Sequence, residues 1–170
     1  AETAAAWRSQ FDQLVLGAPL LGNENDDRAV MQIITADTQA YDDGETAICF
    51  MGHGSDAAAN AIYSDFQQRL HRAAYRNYYI GTVEADPTLE QLLALVRTGG
   101  NYKRVLLQPL MVVAGDHAHH DMAGEDDESW KRTFEKAGYE VTCIVKGLGE
   151  LEGIRNIYVS HVRNCIKQML

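Results

Sequence analysis

Histidine and carboxylate side chains follow three separate apolar runs of this sequence. His53 stands between two glycines after the first run, Glu84 directly follows the second, and His117 lies in the polar segment 115–121 after the third. Four of the six histidines belong to the first and third of these places. Imidazole and carboxylate ligands together suit divalent cobalt, nickel, iron and zinc, and both groups can also move protons. These residue types therefore predict a metal or acid–base site.

Each of these residues also has an ordinary structural interpretation. His53 could cap the following helix or make a hydrogen bond within its turn, and Glu84 could be one of the many exposed acids of the chain. The segment 115–121, with its three histidines and two aspartates, could be a solvated loop. We favour the functional interpretation for His117. Its polar neighbours would either orient it or be exposed; they are Asp116, His119, His120 and Asp121.

Four short apolar runs alternate with amphipathic helical patterns along the chain. A continuous apolar run is typical of a strand that is buried on both faces, and regular alternation of strands and helices predicts an α/β fold with a parallel sheet. The predicted strands are 47–51, 78–83, 105–113 and 140–145. The predicted helices are 1–16, 26–41, 55–75, 87–98, 127–137 and 156–169.

The carboxyl ends of parallel strands lie at one edge of a sheet, where the ligands of such folds bind. Neighbouring strands are about 4.8 Å apart. Because His53, Glu84 and His117 each follow a predicted strand, we expect the three side chains to converge on one ion or one small ligand.

Local signals predict where several elements begin and end. Asn25 or Asp26 would cap the second helix, and Asp86 would cap the fourth, with Pro87 at its first position. Pro109 lacks the N–H that a sheet ladder needs, so the third strand would be interrupted there or would lie at the edge of the sheet.

Other conspicuous residues have structural explanations. Trp130 and Phe134 are four positions apart and are predicted to enter the core, whereas His71 and His161 are predicted to lie at the surface. The acidic run 125–128 would interact favourably with the start of the following helix. The cysteines are widely spaced and are predicted to be small buried hydrophobic residues; they are Cys49, Cys143 and Cys165.

Composition argues against several functional classes. The formal net charge is −9, with 24 acidic against 15 basic residues and no dense basic tract, so nucleic-acid binding is not expected. No apolar run approaches the roughly 20 residues that span a membrane, so no membrane partner is expected. The sequence contains no CxxC pair, which disfavours a structural zinc site.

Three phrases at the predicted strand ends resemble the anaerobic cobalt chelatases of the CbiK type, a class II chelatase family related in fold to ferrochelatase. They are Phe50-Met51-Gly52-His53-Gly54, Thr82-Val83-Glu84, and the stretch 110–118 continuing into Asp121-Met122-Ala123. The resemblance extends from about residue 18 to the end of the chain. It implies a chelatase-like (flavodoxin-like) three-layer α/β fold with a four-stranded parallel sheet.

The family resemblance also implies an activity, which is the insertion of Co²⁺ into the tetrapyrrole sirohydrochlorin during oxygen-independent cobalamin biosynthesis. It implies that His53, Glu84 and His117 bind the metal, and that His53 or Glu84 accepts protons from the ring. Co²⁺ is then a substrate, and no organic cofactor is expected. Sirohydrochlorin carries many carboxylates, and the candidates to bind them are Arg69, Arg72, Arg76, Lys103 and Arg104.

Long chelatases of this type have two similar α/β halves with the tetrapyrrole between them. By this resemblance, residues 1–44 correspond to helices that bridge the halves, and residues 45–170 to the C-terminal chelatase domain. The far wall of the cleft would come from a preceding N-terminal half or from a second copy of the chain in a homo-oligomer. A cytoplasmic location is favoured over a periplasmic one.

Three alternatives remain open at this point. The same residues would serve a nickel or iron chelatase, because the ligand types do not discriminate among these metals. The chain could also be a tetrapyrrole or metal carrier without turnover. A flavodoxin-like or response-regulator-like binding domain is disfavoured, because Gly52-His53-Gly54 replaces the acidic cluster expected after the first strand.

Overall fold

The computed structural model describes residues 2–55 and 58–170 of the chain. The strands are β1 (Thr46–Gly52), β2 (Tyr78–Thr82), β3 (Arg104–Pro109) and β4 (Glu140–Cys143). The α-helices are α1 (Glu2–Trp7), α2 (Glu24–Thr38), α3 (Ala61–Arg72), α4 (Leu89–Gly99), α5 (Trp130–Lys136) and α6 (Glu152–Met169). A π-helix, Ala118–Met122, follows β3. Short 3-10 turns occupy Arg8–Gln10, Gln39–Tyr41, Ala58–Asn60 and Leu148–Glu150.

The four strands form one parallel sheet in the order β2-β1-β3-β4. Its two faces carry separate clusters of buried side chains. One cluster joins the sheet to α2, α3 and α6, and the other joins it to α4 and α5. The predicted three-layer α/β fold with a four-stranded parallel sheet is confirmed. All seven residues of β1 are buried, which explains why this strand is a continuous apolar run in the sequence.

The strand order places a topological switch point between β1 and β3. From β1 the chain crosses to β2 on one side and then returns to β3 on the other side. In open parallel sheets, the crevice at such a point, beyond the carboxyl ends of the strands, is where ligands bind. The loops that carry His53 and His117 therefore leave the sheet at its expected binding edge.

Several predicted element ends differ from the structure because side-chain caps decide them. Asn23, rather than Asn25 or Asp26, caps α2, and its side chain accepts a hydrogen bond from the backbone N–H of Asp26 at 3.0 Å. Thr88, rather than Asp86, caps α4 through a reciprocal capping box with Gln91. Pro87 therefore lies outside that helix. The last helix also begins four residues earlier than predicted, at Glu152.

The N-terminal helix is much shorter than predicted. It covers Glu2–Trp7 instead of residues 1–16, and residues 11–19 form neither helix nor strand; Ala1 lies outside the described residues. An isolated helix of this length depends on burying an apolar face. Trp7 and Phe11 of the predicted apolar face remain about half exposed, although Leu14 and Val15 are partly buried, so the described part of the chain covers that face only in part. The predicted helix 55–75 is likewise shorter, and residues 56 and 57 of it are not described.

The third strand ends at Pro109, as one of its two predicted alternatives required. The other alternative, an edge position, is wrong because β3 pairs with both β1 and β4. The strand avoids a lost ladder bond because Pro109 is its last residue, and the next residue, Leu110, donates its N–H to the Met51 carbonyl at 2.7 Å.

Trp130 and Phe134 are buried, as predicted. The three cysteines are free; Cys49 is buried, and the other two are half-buried. Burial raises the pKa of the Cys49 thiol, so this side chain is a neutral core residue. None of the helices in the described part of the chain is both long enough and apolar enough to cross a membrane.

Ion pairs at the amino end of the sheet give a testable pH dependence. Hydrogen bonds from Lys103, and then from Arg104, hold the pKa of Glu45 below its usual value. A lowered carboxyl pKa stabilises the fold above the unfolded-state pKa of about 4.3 and ceases to do so as the pH falls through the folded-state value. We expect Lys103→Met to lower the melting temperature slightly at pH 7, with the difference shrinking as the pH falls below about 4.

Thermal unfolding followed by circular dichroism between pH 3 and pH 7 measures this difference. In 1 M salt the difference at pH 7 should also shrink, because the Debye length is then only about 3 Å. A difference that is the same at pH 3 and pH 7 would show that Lys103 stabilises the protein through packing and not through charge.

Candidate metal centre

The structure brings His53, Glu84 and His117 together at the carboxyl edge of the sheet. One ligand atom from each side chain lies within 4.8 Å of the other two. His53 Nδ1 and Glu84 Oε2 are 3.5 Å apart, and the two imidazole rings meet edge to face with their centroids 5.0 Å apart. All three side chains reach solvent, at 49%, 54% and 34% exposure respectively. Two imidazoles and one carboxylate at this spacing can hold a divalent metal ion.

Glycines on both sides of His53 set its position. A Cβ at Gly52 would lie 2.3 Å from the Tyr63 ring, so the aromatic ring of α3 occupies the space that a side chain would need. Gly54 has φ +90°, and a Cβ there would lie 2.8 Å from the Ala85 backbone nitrogen. These glycines let the β1 loop lie directly against the β2 loop.

A backbone hydrogen bond links the first two candidate ligands. The N–H of Glu84 donates to the His53 carbonyl at 2.9 Å. The two side chains therefore leave adjacent, mutually bonded loops. His53 Nδ1 also lies 3.1 Å from the Gly54 carbonyl. A proton on Nδ1 would make this contact a hydrogen bond and would leave the Nε2 lone pair free for a metal. The turn hydrogen bond that was the structural alternative for His53 is thus compatible with metal binding.

His117 is oriented by Asp121, one helical turn further along the chain. His117 precedes the π-helix, and its Nδ1 lies 2.5 Å from Asp121 Oδ2. Because the carboxylate accepts the Nδ1 proton, the lone pair of His117 is again on Nε2. A carboxylate that holds a ligating imidazole in this way fixes its tautomer and makes it a stronger ligand.

Replacing Asp121 should weaken metal binding without removing a ligand. We expect Asp121→Asn to lower the affinity for Co²⁺ by about 10–100-fold, the range usual for such supporting partners. Isothermal titration calorimetry with Co²⁺ measures the change. The matched control is Asp116→Asn, since Asp116 pairs with His120 at 2.8 Å instead of with a member of the triad. Equal affinities for the two variants would exclude the orienting role of Asp121.

The remaining histidines lie outside the triad. His120 pairs with Asp116, and His119 is exposed. The predicted surface position of His161 is wrong, because α6 packs on α2 and His161 Nε2 lies 2.8 Å from Asp26 with a side chain only 10% exposed. His71 is half-buried, and its Nε2 lies 3.0 Å from the Tyr78 carbonyl oxygen and 2.8 Å from Gln67 Nε2.

Four of the five basic candidates to bind substrate carboxylates lie toward the amino ends of the strands, away from this site. Arg104 begins β3, at the opposite edge of the sheet, and pairs there with Asp43 and Glu45. Lys103 also pairs with Glu45, and Arg69 pairs with Asp27. Arg72 ends α3, and Arg76 lies between α3 and β2, so both also approach the amino ends of the strands. The sequence identified these residues as basic but did not indicate whether they lie at the amino or the carboxyl ends of the strands.

The acidic run 125–128 forms ion pairs with the helix that follows it. Glu125 pairs with Lys131, and Asp127 Oδ1 lies 3.0 Å from Lys136 Nζ. Hydrogen bonds from these lysines hold the pKa values of both carboxyls below their usual range. These contacts give the run a structural role beside α5, although its partners are lysine side chains and not the helix terminus that was predicted.

Comparison of the sequence with known proteins identifies a family. The model of the cobalt chelatase (CbiK) family matches residues 2–167. The sirohydrochlorin cobaltochelatase of Salmonella typhimurium is 38% identical over 161 residues, which cover 94% of this chain and 59% of that protein. The sirohydrochlorin cobaltochelatase CbiKC of Nitratidesulfovibrio vulgaris is 33% identical over 159 residues, covering 94% of this chain and 56% of that protein.

The chain thus spans little more than half the length of these curated relatives. The match nevertheless includes nearly all of its own residues, among them the three that converge at the carboxyl edge of the sheet. On this evidence the chain belongs to the cobalt chelatase (CbiK) family.

Proposed function

We propose that this chain carries the metal-binding part of a cobalt chelatase that inserts Co²⁺ into sirohydrochlorin in oxygen-independent cobalamin biosynthesis. The observation that carries the proposal is the convergence of His53, Glu84 and His117 within 4.8 Å in a member of this family. The names of the two relatives, both sirohydrochlorin cobaltochelatases, support the choice of metal and of tetrapyrrole.

The proposed roles follow from the chemistry of insertion. The reaction forms metal–nitrogen bonds to the ring and releases two pyrrole protons for each Co²⁺ that enters. His53 and His117 each present a ring-nitrogen lone pair to the incoming ion in place of water, and Glu84 reduces the charge of the bound ion. As the ring nitrogens bind the metal, His53 or Glu84 accepts the released protons and passes them to solvent, to which both side chains are open.

An insertion assay tests this proposal. The protein is mixed with sirohydrochlorin and with Co²⁺, Ni²⁺ or Fe²⁺, and the absorption spectrum of the ring is followed without oxygen. We expect the spectrum of the metallated ring to appear fastest with Co²⁺. Faster insertion of Ni²⁺ or Fe²⁺ would favour one of those metals as the substrate. Tight binding of ring and metal with no insertion would instead favour a non-catalytic carrier.

The substrate cleft requires a second wall, which we propose another folded unit supplies. The N-terminal segment exposes Trp7, Phe11 and Leu16 around an open apolar cleft of about 490 Å³. The outer face of α6 exposes a second apolar stripe, consisting of Val159, Val162, Ile166 and Met169. Apolar surface of this extent is typical of an interface. The covering unit is either a second copy of this chain or a preceding α/β half, to which residues 1–44 would form the bridge.

Light scattering coupled to size-exclusion chromatography separates the two choices. A homo-oligomer requires a mass that is a multiple of the 18.9 kDa chain. A monomer that cannot insert Co²⁺ alone, but does so when joined to the preceding half of a relative, would favour the two-half arrangement.

We infer no organic cofactor for the reaction, and we place it in the cytoplasm in preference to the periplasm.

A further inference from the structure

The turn after β4 is hydrogen-bonded to the loop that carries His117. Leu148 N–H donates to the Met111 carbonyl at 2.8 Å, and Gly149 N–H donates to the Val112 carbonyl at 2.9 Å. These two bonds hold the chain between the end of β3 and the π-helix, where regular strand pairing has already ended. The position of His117 therefore depends on a segment more than 30 residues away in sequence.

Gly147 permits this close approach. A Cβ at Gly147 would lie 2.6 Å from the Val112 carbonyl oxygen, 2.7 Å from the Ala114 nitrogen and 2.9 Å from the Val113 Cα. All three are backbone atoms, so no side-chain rotation could relieve the contact. Gly147 has φ −75° and ψ 154°, which any residue adopts. The requirement for glycine is therefore one of space and not of backbone conformation.

The turn is itself firmly anchored away from the metal centre. Lys146 Nζ lies 2.7 Å from Asp37 Oδ1 on α2, and Gln108 of β3 donates to the other oxygen of Asp37 at 3.1 Å. Leu148 is buried, and the N–H of Gly147 donates to Glu150 Oε1 at 2.8 Å. Because these contacts hold the turn in place, an added methyl group at position 147 would displace the His117 loop.

We propose that Gly147 is a positioning residue for the metal centre, holding the 110–116 loop at the distance from the turn at which His117 meets His53 and Glu84. The inference rests on the proposed role of His117 as a ligand. It adds a residue of the β4–α6 turn, which touches none of the three ligands, to the determinants of metal affinity.

Alanine at position 147 tests the inference against a matched control in the supported loop. Gly115 lies two residues before His117, and a Cβ there would meet nothing within 4 Å. We expect Gly147→Ala to lower the affinity for Co²⁺ by about 10–100-fold, the range usual when a group that orients a metal ligand is changed. We expect Gly115→Ala to bind Co²⁺ like the wild type. Titration calorimetry with Co²⁺ alone measures both affinities, and thermal unfolding measures both stabilities.

The visible absorption spectrum of bound Co²⁺ distinguishes positioning from simple destabilisation. At saturating Co²⁺, the bands of Gly147→Ala should differ from those of the wild type in position or intensity, because the ligands surround the ion differently. A variant that is only less stable would give the wild-type spectrum once saturated. Wild-type affinity together with the wild-type spectrum in Gly147→Ala would overturn the inference.

A second variant decides the question if Gly147→Ala does not fold. Lys146→Met removes the ion pair with Asp37 but adds no atom near Val112, and it should weaken Co²⁺ binding several-fold with the same kind of spectral change. Unchanged binding in a folded Lys146→Met would then overturn the inference. If instead the wild-type protein fails to bind Co²⁺, or His117→Ala binds it equally well, it is the proposed function that fails.

Discussion

Replacing His117 by Ala is expected to lower the affinity for Co²⁺ by about 100-fold or more, because loss of a ligand should cost at least as much as loss of a supporting partner. His117 is the least exposed member of the triad, and its Nδ1 is held by Asp121 at 2.5 Å. The remaining pair, His53 and Glu84, would hold the ion with two protein ligands. Insertion of Co²⁺ into sirohydrochlorin should fall in parallel, measured by absorption under conditions in which the wild type is active.

The neighbouring histidine provides the control for this prediction. His120 lies on the π-helix, is 70% exposed, and pairs with Asp116 and not with the triad. His120→Ala should therefore bind Co²⁺ as the wild type does. If His120→Ala lost as much affinity as His117→Ala, the metal would be held by the histidine-rich segment as a whole and not by the three convergent residues.

Replacing Gly54 by Ala should disrupt the site from the backbone. Gly54 has φ +90°, which costs an L-residue about 1–2 kcal/mol, and a Cβ there would meet the Ala85 nitrogen at 2.8 Å. Ala85 follows Glu84 directly, so relief of this contact must move the β1 and β2 loops apart. We expect the affinity for Co²⁺ to fall by up to about 100-fold, since His53 and Glu84, the first two proposed ligands, leave these loops.

Gly44 allows the two consequences of this substitution to be separated. It has φ +80°, and a Cβ there would meet nothing within 4 Å. Gly44→Ala should therefore lose a similar amount of stability through backbone strain, measured by urea unfolding, while binding Co²⁺ normally. If Gly44→Ala lost as much Co²⁺ affinity as Gly54→Ala, backbone strain, and not the spacing of the β1 and β2 loops, would account for the loss.

The convergence of the three candidate ligands could be predicted from the sequence because a parallel sheet converts order along the chain into position at one edge. His53, Glu84 and His117 each follow an apolar run, and this was enough to bring them together. The prediction needed only the type of each element and not its exact ends. The predicted convergence therefore did not depend on the caps of α2 and α4, which were predicted wrongly.

Features that depend on contacts between distant segments could not be predicted. Nothing near Gly147 in the sequence indicates that its Cβ would meet Val112, and nothing near Gly52 indicates the Tyr63 ring. The assignment of His161 to the surface failed for the same reason, since its partner Asp26 is 135 residues away. The N-terminal helix was predicted too long because apolar spacing indicates a face to bury but not whether a partner for that face is present.

The most direct test of the metal centre is a crystal structure of the protein grown with Co²⁺, with diffraction recorded on both sides of the cobalt absorption edge. A single strong anomalous peak in contact with one ring nitrogen of His53, one ring nitrogen of His117 and a carboxylate oxygen of Glu84 is the predicted result. A peak held by His119, His120 or the acidic run 125–128, with the three convergent residues free of metal, would contradict the assignment of the site.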